Sequence, residues 1–358
     1  MIAVDDAGEV RDEERLDLER LRPFVAAALP GASGRLEARQ FRQGHSNLTY
    51  LVRLGDREAV LRRAPIGARV KRGHDMRREF QLLAALQGAY PRAPRPFAFC
   101  DDTSLIGAPF YLMERVRGVV IRGDGSASGI DLTPELVRRI STALIDNLVE
   151  LHAVDVARLA ELGRPEGYVA RQVLGWSERY QAAKTEEIAP LEAAAAWLAA
   201  NRPAERGVAL VHNDYKQDNV VLDPGDLGRI VAVLDWEMAT VGDPLMDLGT
   251  MLGYWVDPDD DDDLKARTYG PTLLPGSLSR RDLVERYAER SGRAVGDPLF
   301  YYVFALFKLA VIIQQIYRRY VGGLTSDDRF AGLGERVRTL GAQAARALDR
   351  GRIHALGT

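Results

Sequence analysis

The sequence predicts an α+β protein with a small β-rich N-terminal part and a larger, mostly helical C-terminal part. Up to residue 116, short runs rich in β-branched and aromatic residues alternate with turn residues. From Thr133 onward, apolar residues instead recur at helical spacing over long stretches. Strand-like runs at residues 208–236 interrupt this helical part. With 358 residues, 46% of them hydrophobic, the chain can bury a core large enough for two such parts.

The N-terminal part is predicted to hold two helices and a β-hairpin. Apolar spacing indicates a helix at residues 14–29, which Pro30 and Gly31 end. Two strand-like runs flank a short turn at residues 55–57, and this arrangement indicates a hairpin. The predicted strands cover residues 40–54, 58–63, 97–100 and 110–116, and the second helix covers residues 74–87.

The C-terminal part is predicted to consist of helices around the interrupting strands. Thr133 is a good N-cap residue, and Pro134 suits the first position of the helix that follows. Within the interrupting segment, the turn signal "PGDLGR" separates two β-branched runs. Further helices are predicted at residues 168–183, 191–200, 283–290 and 299–320.

Composition argues against several classes of function. The 48 basic and 51 acidic residues give a net charge of −3, which is too balanced for a dedicated nucleic-acid-binding protein. Cys100 is the single cysteine, so neither an intrachain disulfide nor a cysteine-based metal site is expected. The acidic N-terminus lacks the basic start and apolar core of a signal peptide. We expect a cytoplasmic protein without a nucleic-acid partner.

Two stretches of unusual composition are interpreted as structural. Residues 299–320 are apolar over most of the length of a membrane span, but Lys308, Gln314 and Gln315 interrupt them. We therefore expect a buried core helix and no membrane partner. The acidic run "DPDDDDD" at residues 257–263 is expected to be a solvated loop, as blocks of like charge usually are.

The interrupting strands bring three polar residues together. If residues 220–222 pair antiparallel with residues 230–234, Asn219 and Asp235 lie at the same end of a hairpin, with Asp214 on the adjoining loop. An amide oxygen beside a carboxylate makes a hard-oxygen site of the kind that Mg²⁺ takes when phosphates complete its coordination. Phosphoryl transfer needs such a site, an aligned hydroxyl group and a base near it.

The motifs around these residues resemble a known family. "HNDYKQDN", residues 212–219, resembles the catalytic loop of the protein kinase superfamily, and "LDWE", residues 234–237, stands in the place of its metal-binding D-F-G. "VLDWEMATVGDPLMDLG" is similar to the local signature of the aminoglycoside phosphotransferase-like (APH/choline kinase) family. This resemblance implies a bilobal protein kinase-like fold that uses ATP and Mg²⁺. It implies an N-lobe at residues 1–113, a hinge at residues 114–118 and a C-lobe at residues 119–358.

Other motifs resemble one branch of this family. "LVELHAVD", "YVARQVLGW" and "LAVIIQQIYRRY" are similar to the branch that is fused to acyl-CoA dehydrogenases in animals and free-standing in bacteria. Its members are associated with phosphorylation of hydroxylated acyl-CoA or acid substrates. The resemblance therefore implies a small-molecule kinase that acts on a hydroxyl group of a hydroxyacyl-CoA or hydroxy acid.

The resemblance also assigns roles to polar residues of the C-lobe. Asp214 would be the base that accepts the proton of the substrate hydroxyl group, and Lys216 could neutralise the migrating phosphoryl group. Asn219 and Asp235 would hold Mg²⁺, while His212 is expected to hold the loop by packing. Three aspartates are expected to be structural, namely Asp218 at the surface and Asp243 and Asp247 as caps and tethers of the following helix.

In the N-lobe, "GHSNLTYLV", "AVLRR", "RREF" and "YLMERVRG" resemble the family's nucleotide-covering loop, third strand, helix C and hinge. Strand alternation puts Val60 and Arg62 on one face, so Val60 would pack on adenine and Arg62 would stand where the superfamily usually has lysine. Either the phosphate contact is remodelled, or Arg63 or another base serves. Glu79 is the expected ion-pair partner. The other nucleotide contacts are assigned to Gly44, Ser46 and Asn47 for the phosphates and to the backbone of Met113, Glu114 and Arg115 beside the adenine edge.

Three other functions stay open. An aminoglycoside or other amino-alcohol phosphotransferase would bind a cation, to which the acidic run could contribute. A pseudokinase that works through a partner would explain Arg62, although Asp214, Asn219 and Asp235 together argue against it. A metal-dependent phosphatase would not need the hinge or the β-rich lobe. For an acyl-CoA substrate, phosphate ligands could come from Arg171, Arg179, Arg318 and Arg319.

Overall fold

The structure is a computed structural model that describes residues 7–41, 47–65, 75–123, 125, 129–266, 268–324 and 328–357. The chain forms two compact units. The first comprises Met1–Val120 and Asn219–Ala239, and the second comprises Ile121–Asp218 and Thr240–Thr358. Strands dominate the first unit and helices the second, which confirms the predicted fold class.

The two units differ from the predicted lobes at residues 119–120 and in one longer segment. The hairpin segment Asn219–Ala239 groups with the N-terminal unit, although the prediction assigns it to the C-lobe. Long-range pairing causes this, because Val119 forms a β-bridge with Leu222. The lobe boundaries at residues 113 and 118 stay a prediction.

The described part of the first unit is built on an antiparallel sheet with the strand order β1-β2-β3-β5-β4. The predicted hairpin is present, since Leu54 pairs with Arg57 across the turn. The run predicted as one strand at residues 40–54 is wrong in its first part, because Phe41 ends a separate strand. The strands are β1 Leu36–Phe41, β2 Leu48–Leu54, β3 Arg57–Arg63, β4 Pro96–Cys100 and β5 Phe110–Met113.

Helices cover this sheet. The first, α1, begins after Asp17, whose side chain accepts a hydrogen bond from the backbone N–H of Arg20. Its residues Leu21 and Val25 are fully buried in a core shared with the strands. The helices of the first unit are α1 Leu18–Ala28, α2 Met76–Ala85 and α3 Thr103–Ile106.

A second hairpin completes the first unit. Strands β7 Val220–Asp223 and β8 Asp226–Val233 pair antiparallel, and the register shifts once on each side of Leu222. A Cβ atom on Gly118 would lie 2.4 Å from the carbonyl oxygen of Leu222, so a glycine is needed where the chain passes this hairpin. The predicted turn is shorter than expected, because β8 already begins at Asp226.

The second unit is mostly helical. Helix α4 begins as predicted, with the hydroxyl group of Thr133 accepting from the backbone N–H of Leu136. A short antiparallel pair joins β6 Ala209–Val211 to β9 Thr240–Gly242. The helices are α4 Pro134–His152, α5 Tyr168–Ala183, α6 Ala189–Ala200, α7 Pro244–Tyr254, α8 Asp262–Lys265, α9 Arg280–Ser291, α10 Leu299–Val321 and α11 Leu333–Arg350.

Helix α10 is the core helix that the sequence predicts. By length and composition it could cross a membrane, but 83% of its most apolar window is buried inside the protein. It packs against α11, α7 and α5. Helix α11 is not among the predicted elements. It begins without a side-chain cap, although Val337, Leu340 and Ala344 form a buried face at helical spacing.

The acidic run is not a simple solvated loop, and that expectation is wrong for two of its residues. Asp257 and Asp260 are only 3% and 2% exposed, and they surround the fully buried Arg280. Both guanidinium Nη atoms of Arg280 donate to Asp260, at 2.7 and 2.6 Å, and Nε lies 3.2 Å from Asp257. Burial raises the pKa of Asp257 to about 6, against the effect of Arg280. A distant arginine therefore turns part of the run into a buried ion-pair cluster.

Candidate active site

The backbone of the predicted catalytic loop is fixed by a buried aspartate. Asp247, in the first turn of α7, accepts hydrogen bonds from the backbone N–H groups of His212 and Asn213, at 2.6 and 2.7 Å. His152 lies 3.2 Å from the same carboxylate. Burial opposes its charge, but hydrogen bonding and charge from His152 lower the pKa of Asp247 overall. Asp247 thus tethers α7 to the loop, and Asp243 caps α7, so both expected roles are present.

The loop itself has an unusual backbone conformation. Asn213 has a φ of 64°, in the left-handed region that few residues other than glycine adopt. Its side-chain oxygen accepts a hydrogen bond of 2.9 Å from Tyr168. His212 is fully buried, and its Nδ1 accepts from the backbone N–H of Asp214 at 3.3 Å. The structure therefore agrees with the prediction that His212 holds the loop.

Two described side chains donate hydrogen bonds to the carboxylate of Asp214. The hydroxyl group of Tyr254 donates to Oδ1, and the ammonium group of Lys216 donates to Oδ2. Lys216 also lies 4.9 Å from the centre of the Tyr254 ring. Burial and the nearby Asp214 raise the pKa of Tyr254 well above its usual value, so this hydroxyl group stays a donor. Sequence reasoning missed Tyr254, since a tyrosine at the end of an apolar helix carries no local signal.

Asp218 does not have the surface position that was expected. It is only partly exposed, and its Oδ1 is buried without a hydrogen-bond partner among the described residues. Burial raises the pKa of Asp218 to about 6, against the charges of Lys216 and Arg122. The loop packs more tightly than its polar composition indicates.

A buried lysine supports the loop from α10. The ammonium group of Lys308 donates to the carbonyl oxygen of Asn213 at 2.5 Å, and it lies 3.5 Å from the hydroxyl group of Thr250. Burial lowers the pKa of Lys308 to about 8, although Asp214 and Asp247 act in the opposite direction. The sequence shows Lys308 only as an interruption of an apolar run. That interruption is the available signal, since buried lysines are rare without a partner.

We expect the protonation of Lys308 to make stability depend on pH. Its folded pKa of about 8 lies below the usual 10.5, so the unfolded chain binds the proton more tightly. The loss of stability caused by burying the charged ammonium group is complete below pH 8 and disappears as the pH rises towards 10.5. Relative to Lys308→Met, the wild type should therefore gain up to about 3 kcal/mol across this range. Urea unfolding from pH 7 to 10 tests this, with Lys184→Met as the control. A constant difference between wild type and Lys308→Met would contradict it.

The predicted metal ligands lie in the first unit. Val220 pairs with Val233, and the backbone N–H of Leu234 donates to the carbonyl oxygen of Asn219 at 2.8 Å. Asn219 and Asp235 therefore occur at the same end of the hairpin, as the pairing argument predicts. Asp235 has a φ of 66° and a side chain that is 33% exposed.

Arg62 forms a cluster of ion pairs in this unit. Its guanidinium group forms ion pairs with Glu79 at 3.2 Å, Asp235 at 2.6 Å and Glu237 at 2.9 Å. The expected pair with Glu79 is thus present. Burial alone would lower the pKa of Arg62, but Asp235 and Glu79 raise it well above its usual value. Arg63 does not offer the alternative, because it is 1% exposed and donates to the carbonyl oxygen of Ile106 at 2.9 Å.

The other expected nucleotide contacts are placed as follows. Asn47 donates to Glu237 at 2.6 Å, and Val60 lies on the same strand face as Arg62. The backbone N–H of Glu114 donates to the carbonyl oxygen of Arg95 at 2.8 Å, so this N–H group is already paired within the first unit. The nucleotide contacts of Asn47, Val60, Met113, Glu114 and Arg115 stay predictions, and Gly44 and Ser46 lie outside the described residues.

We expect Arg62→Lys to weaken this unit, because a compact ammonium group cannot span three carboxylates as a guanidinium fork does. The loss should be about 1.5–3 kcal/mol, the range for a hydrogen bond to a charged group. Urea unfolding measures it, and Arg53→Lys at a half-exposed ion pair is the matched control. Equal stability of the two variants would show that the contacts of Arg62 to Glu79 and Glu237 contribute little.

The donor set suits a magnesium–nucleotide complex. Asn219 and Asp235 supply hard oxygen atoms, and Mg²⁺ in such sites takes one or two carboxylates plus phosphates. Among the described residues, no group of three or more His, Cys, Asp or Glu side chains could hold a metal by itself. Arg62 Nε is buried and lacks a hydrogen-bond partner in the described part of the chain, so it could donate to a phosphate. The residues therefore fit Mg²⁺ that arrives with a nucleotide.

Known proteins show sequence similarity over most of this chain. Residues 37–283 match the model of the phosphotransferase enzyme family, APH. Acyl-CoA dehydrogenase family member 10 of Mus musculus is 32% identical over 343 residues, which cover 91% of this chain and 30% of that protein. Family member 11 of Rattus norvegicus is 33% identical over 343 residues, which cover 91% of this chain and 42% of that protein. The chain thus spans less than half the length of these curated relatives.

A solved structure supports the same assignment. A Ralstonia eutropha JMP134 protein, provisionally named an aminoglycoside phosphotransferase, is 28% identical, with a TM-score of 0.77. The match covers 94% of this chain and 99% of that one. The likeness therefore includes both compact units and not the catalytic loop alone.

Proposed function

Because the chain belongs to the APH phosphotransferase enzyme family, we propose that it is a small-molecule kinase that transfers the γ-phosphoryl group of ATP to a substrate hydroxyl group. The observation that supports this most directly is the environment of Asp214. Its carboxylate is oriented by Tyr254 and Lys216, on a backbone that Asp247 and Lys308 hold in place. A positioned carboxylate is what a general base at an acceptor hydroxyl group requires.

In the proposed reaction, Asp214 accepts the proton of the substrate hydroxyl group as its oxygen forms a bond to the γ-phosphorus atom. The bond between that phosphorus atom and the bridging oxygen of ADP breaks, and ADP leaves. Lys216 stabilises negative charge beside the acceptor. Asn219 and Asp235 would hold Mg²⁺, which supplies positive charge that neutralises the phosphate oxygens. Arg62 would hold Asp235 and Glu79 in a fixed arrangement.

We propose a hydroxyacyl-CoA or a hydroxy acid as the acceptor, on the likeness to relatives named as acyl-CoA dehydrogenase family members. Two of the four arginines expected at the CoA phosphates give little support, because they make local contacts. Arg171 donates to the backbone of Arg164 and Glu166, and Arg318 donates to the backbone of Ala182. An aminoglycoside or amino alcohol is the alternative acceptor. The single cysteine suits the cytoplasm as the proposed location.

ADP release from Mg-ATP tests the proposal. The panel contains 4-hydroxyacyl-CoAs, free 4-hydroxy acids, choline and aminoglycosides, with GTP as a second nucleotide. Turnover that depends on the acceptor and is lost in Asp214→Asn and Asp235→Ala would support the kinase and identify its substrate class. If no acceptor gives turnover, calorimetry with Mg-ATP separates two cases. Binding would mean that the right acceptor is missing, and no binding would favour a pseudokinase that works through a partner.

A further inference from the structure

The second unit contains a cavity of about 170 Å³. Tyr254, whose hydroxyl group donates to Asp214, forms part of its wall, and the ring of Tyr269 lies 4.8 Å from that of Tyr254. The rest of the wall is largely apolar. Its apolar side chains are Val256, Leu264, Ala266, Leu309 and Leu340. Because typical ligand pockets measure about 300–1,000 Å³, this cavity suits one end of a ligand and not a whole one.

Arg336 supplies a positive charge to the wall of this cavity. Its guanidinium group lies 4.7 Å from the centre of the Tyr269 ring. No carboxylate among the described residues lies within ion-pair distance of it, whereas Arg338 on the same helix pairs with Glu186. Asp263 and Glu335 also line the cavity, but both are exposed, and exposed charges contribute little. A partly buried arginine in an apolar wall suits an anionic group on an apolar stem.

The same tyrosine pair also lines a smaller cavity of about 10 Å³. Tyr254 and Tyr269 line both cavities, and Lys216 lines the smaller one. Gln217 and Thr272 also line it, and each is 5% exposed. The amide nitrogen of Gln217 and the hydroxyl group of Thr272 have no hydrogen-bond partner in the described part of the chain. Folded proteins rarely leave such groups unpaired, so these two groups can form hydrogen bonds with a polar group that enters the cavity.

We propose that these cavities form the acceptor subsite and that Arg336 binds an anionic group of the acceptor. The apolar stem lies against Leu309 and Leu340, and Gln217 and Thr272 receive the hydroxyl end beside Lys216. This inference rests on the proposed kinase function. The anion has two sources, the carboxylate of a free hydroxy acid or a phosphate of a CoA ester, and both share the same chemistry at Arg336.

Calorimetric binding without nucleotide tests the anion subsite. The probes are 4-hydroxyhexanoate, 4-hydroxyhexanoyl-CoA and the uncharged N-acetylcysteamine thioester of the same acid. We expect Arg336→Met to weaken at least one anionic probe by about tenfold, the effect of losing a charge-assisted hydrogen bond. The uncharged thioester should be unaffected, and Arg338→Met should bind all three like the wild type. The weakened probe identifies the source of the anion. Unchanged binding in Arg336→Met, or no binding of either anion to the wild type, would overturn the proposal.

The hydroxyl end has its own test. Wild type should bind 4-hydroxyhexanoate more tightly than hexanoate by about tenfold, because only the first satisfies the buried polar groups. Thr272→Val keeps the shape of the side chain and should reduce this preference without loss of fold. An unchanged preference in this variant would overturn the assignment of Thr272.

The two proposals can fail separately. If an acceptor supports ADP release with the same KM in wild type and Arg336→Met, the kinase stands and the anion subsite is wrong. If the anionic probes bind in a way that depends on Arg336 but no acceptor supports ADP release, the subsite stands and the kinase function is wrong.

Discussion

Asp214→Asn should lower the turnover number for phosphoryl transfer by about 10²- to 10⁴-fold, the usual contribution of a general base. Asparagine keeps the size of the side chain and can still accept the hydrogen bond from Tyr254, but it cannot take up the proton of the acceptor. The KM for Mg-ATP should change little, since Asp214 is not among the proposed metal ligands. The measurement is steady-state ADP release at saturating nucleotide with the acceptor found in the panel.

Two control variants separate loss of the base from damage to the loop. Asp218→Asn makes the same chemical change nearby and should retain turnover, because Asp218 carries no proposed role in the reaction. Tyr254→Phe removes one donor to Asp214 and should lower turnover by about tenfold. If Asp214→Asn and Asp218→Asn had the same modest effect, Asp214 would be a loop residue and not the base.

Arg280→Met should lower the free energy of unfolding by about 3–5 kcal/mol, because it leaves two buried carboxylates without their partner. The side chain of Asp260 is fully buried against Arg280, and that of Asp257 is 4% exposed. Urea unfolding at neutral pH measures the loss. The matched control is Arg281→Met, where a largely exposed pair with Glu285 should contribute less than about 1 kcal/mol.

The difference in free energy of unfolding between wild type and Arg280→Met should be smaller at acidic pH. In the wild type, burial already raises the pKa of Asp257 to about 6, so the folded chain binds this proton more tightly than the unfolded chain. The stabilising effect of that protonation is therefore lost as the pH rises through 6. Without the positive charge of Arg280, Asp257 should take up its proton more readily, and Arg280→Met should be closer to wild type at pH 5 than at pH 7. A deficit that does not change with pH would indicate lost packing and not uncompensated charge.

Several features could be read from the sequence because they depend on local patterns. β-branched runs around a turn predict the hairpin of β7 and β8, and this pairing brings Asn219 and Asp235 to one end. The predicted N-cap at Thr133 is confirmed for the same reason. Each depends on a short-range period, a turn or a cap, which neighbouring residues determine.

Tertiary structure alone decided which distant residues complete these elements. Tyr254 reaches Asp214 across 40 residues of sequence, and Lys308 reaches Asn213 across 95. Likewise Arg280 donates to Asp260, which belongs to an acidic run whose composition indicates only solvated charge. No local pattern predicts such contacts, because the cost of burying a charge or a hydroxyl group depends on which partner the folded chain brings to it. The sequence determined the fold class and the catalytic motif, and packing determined what orients and supports that motif.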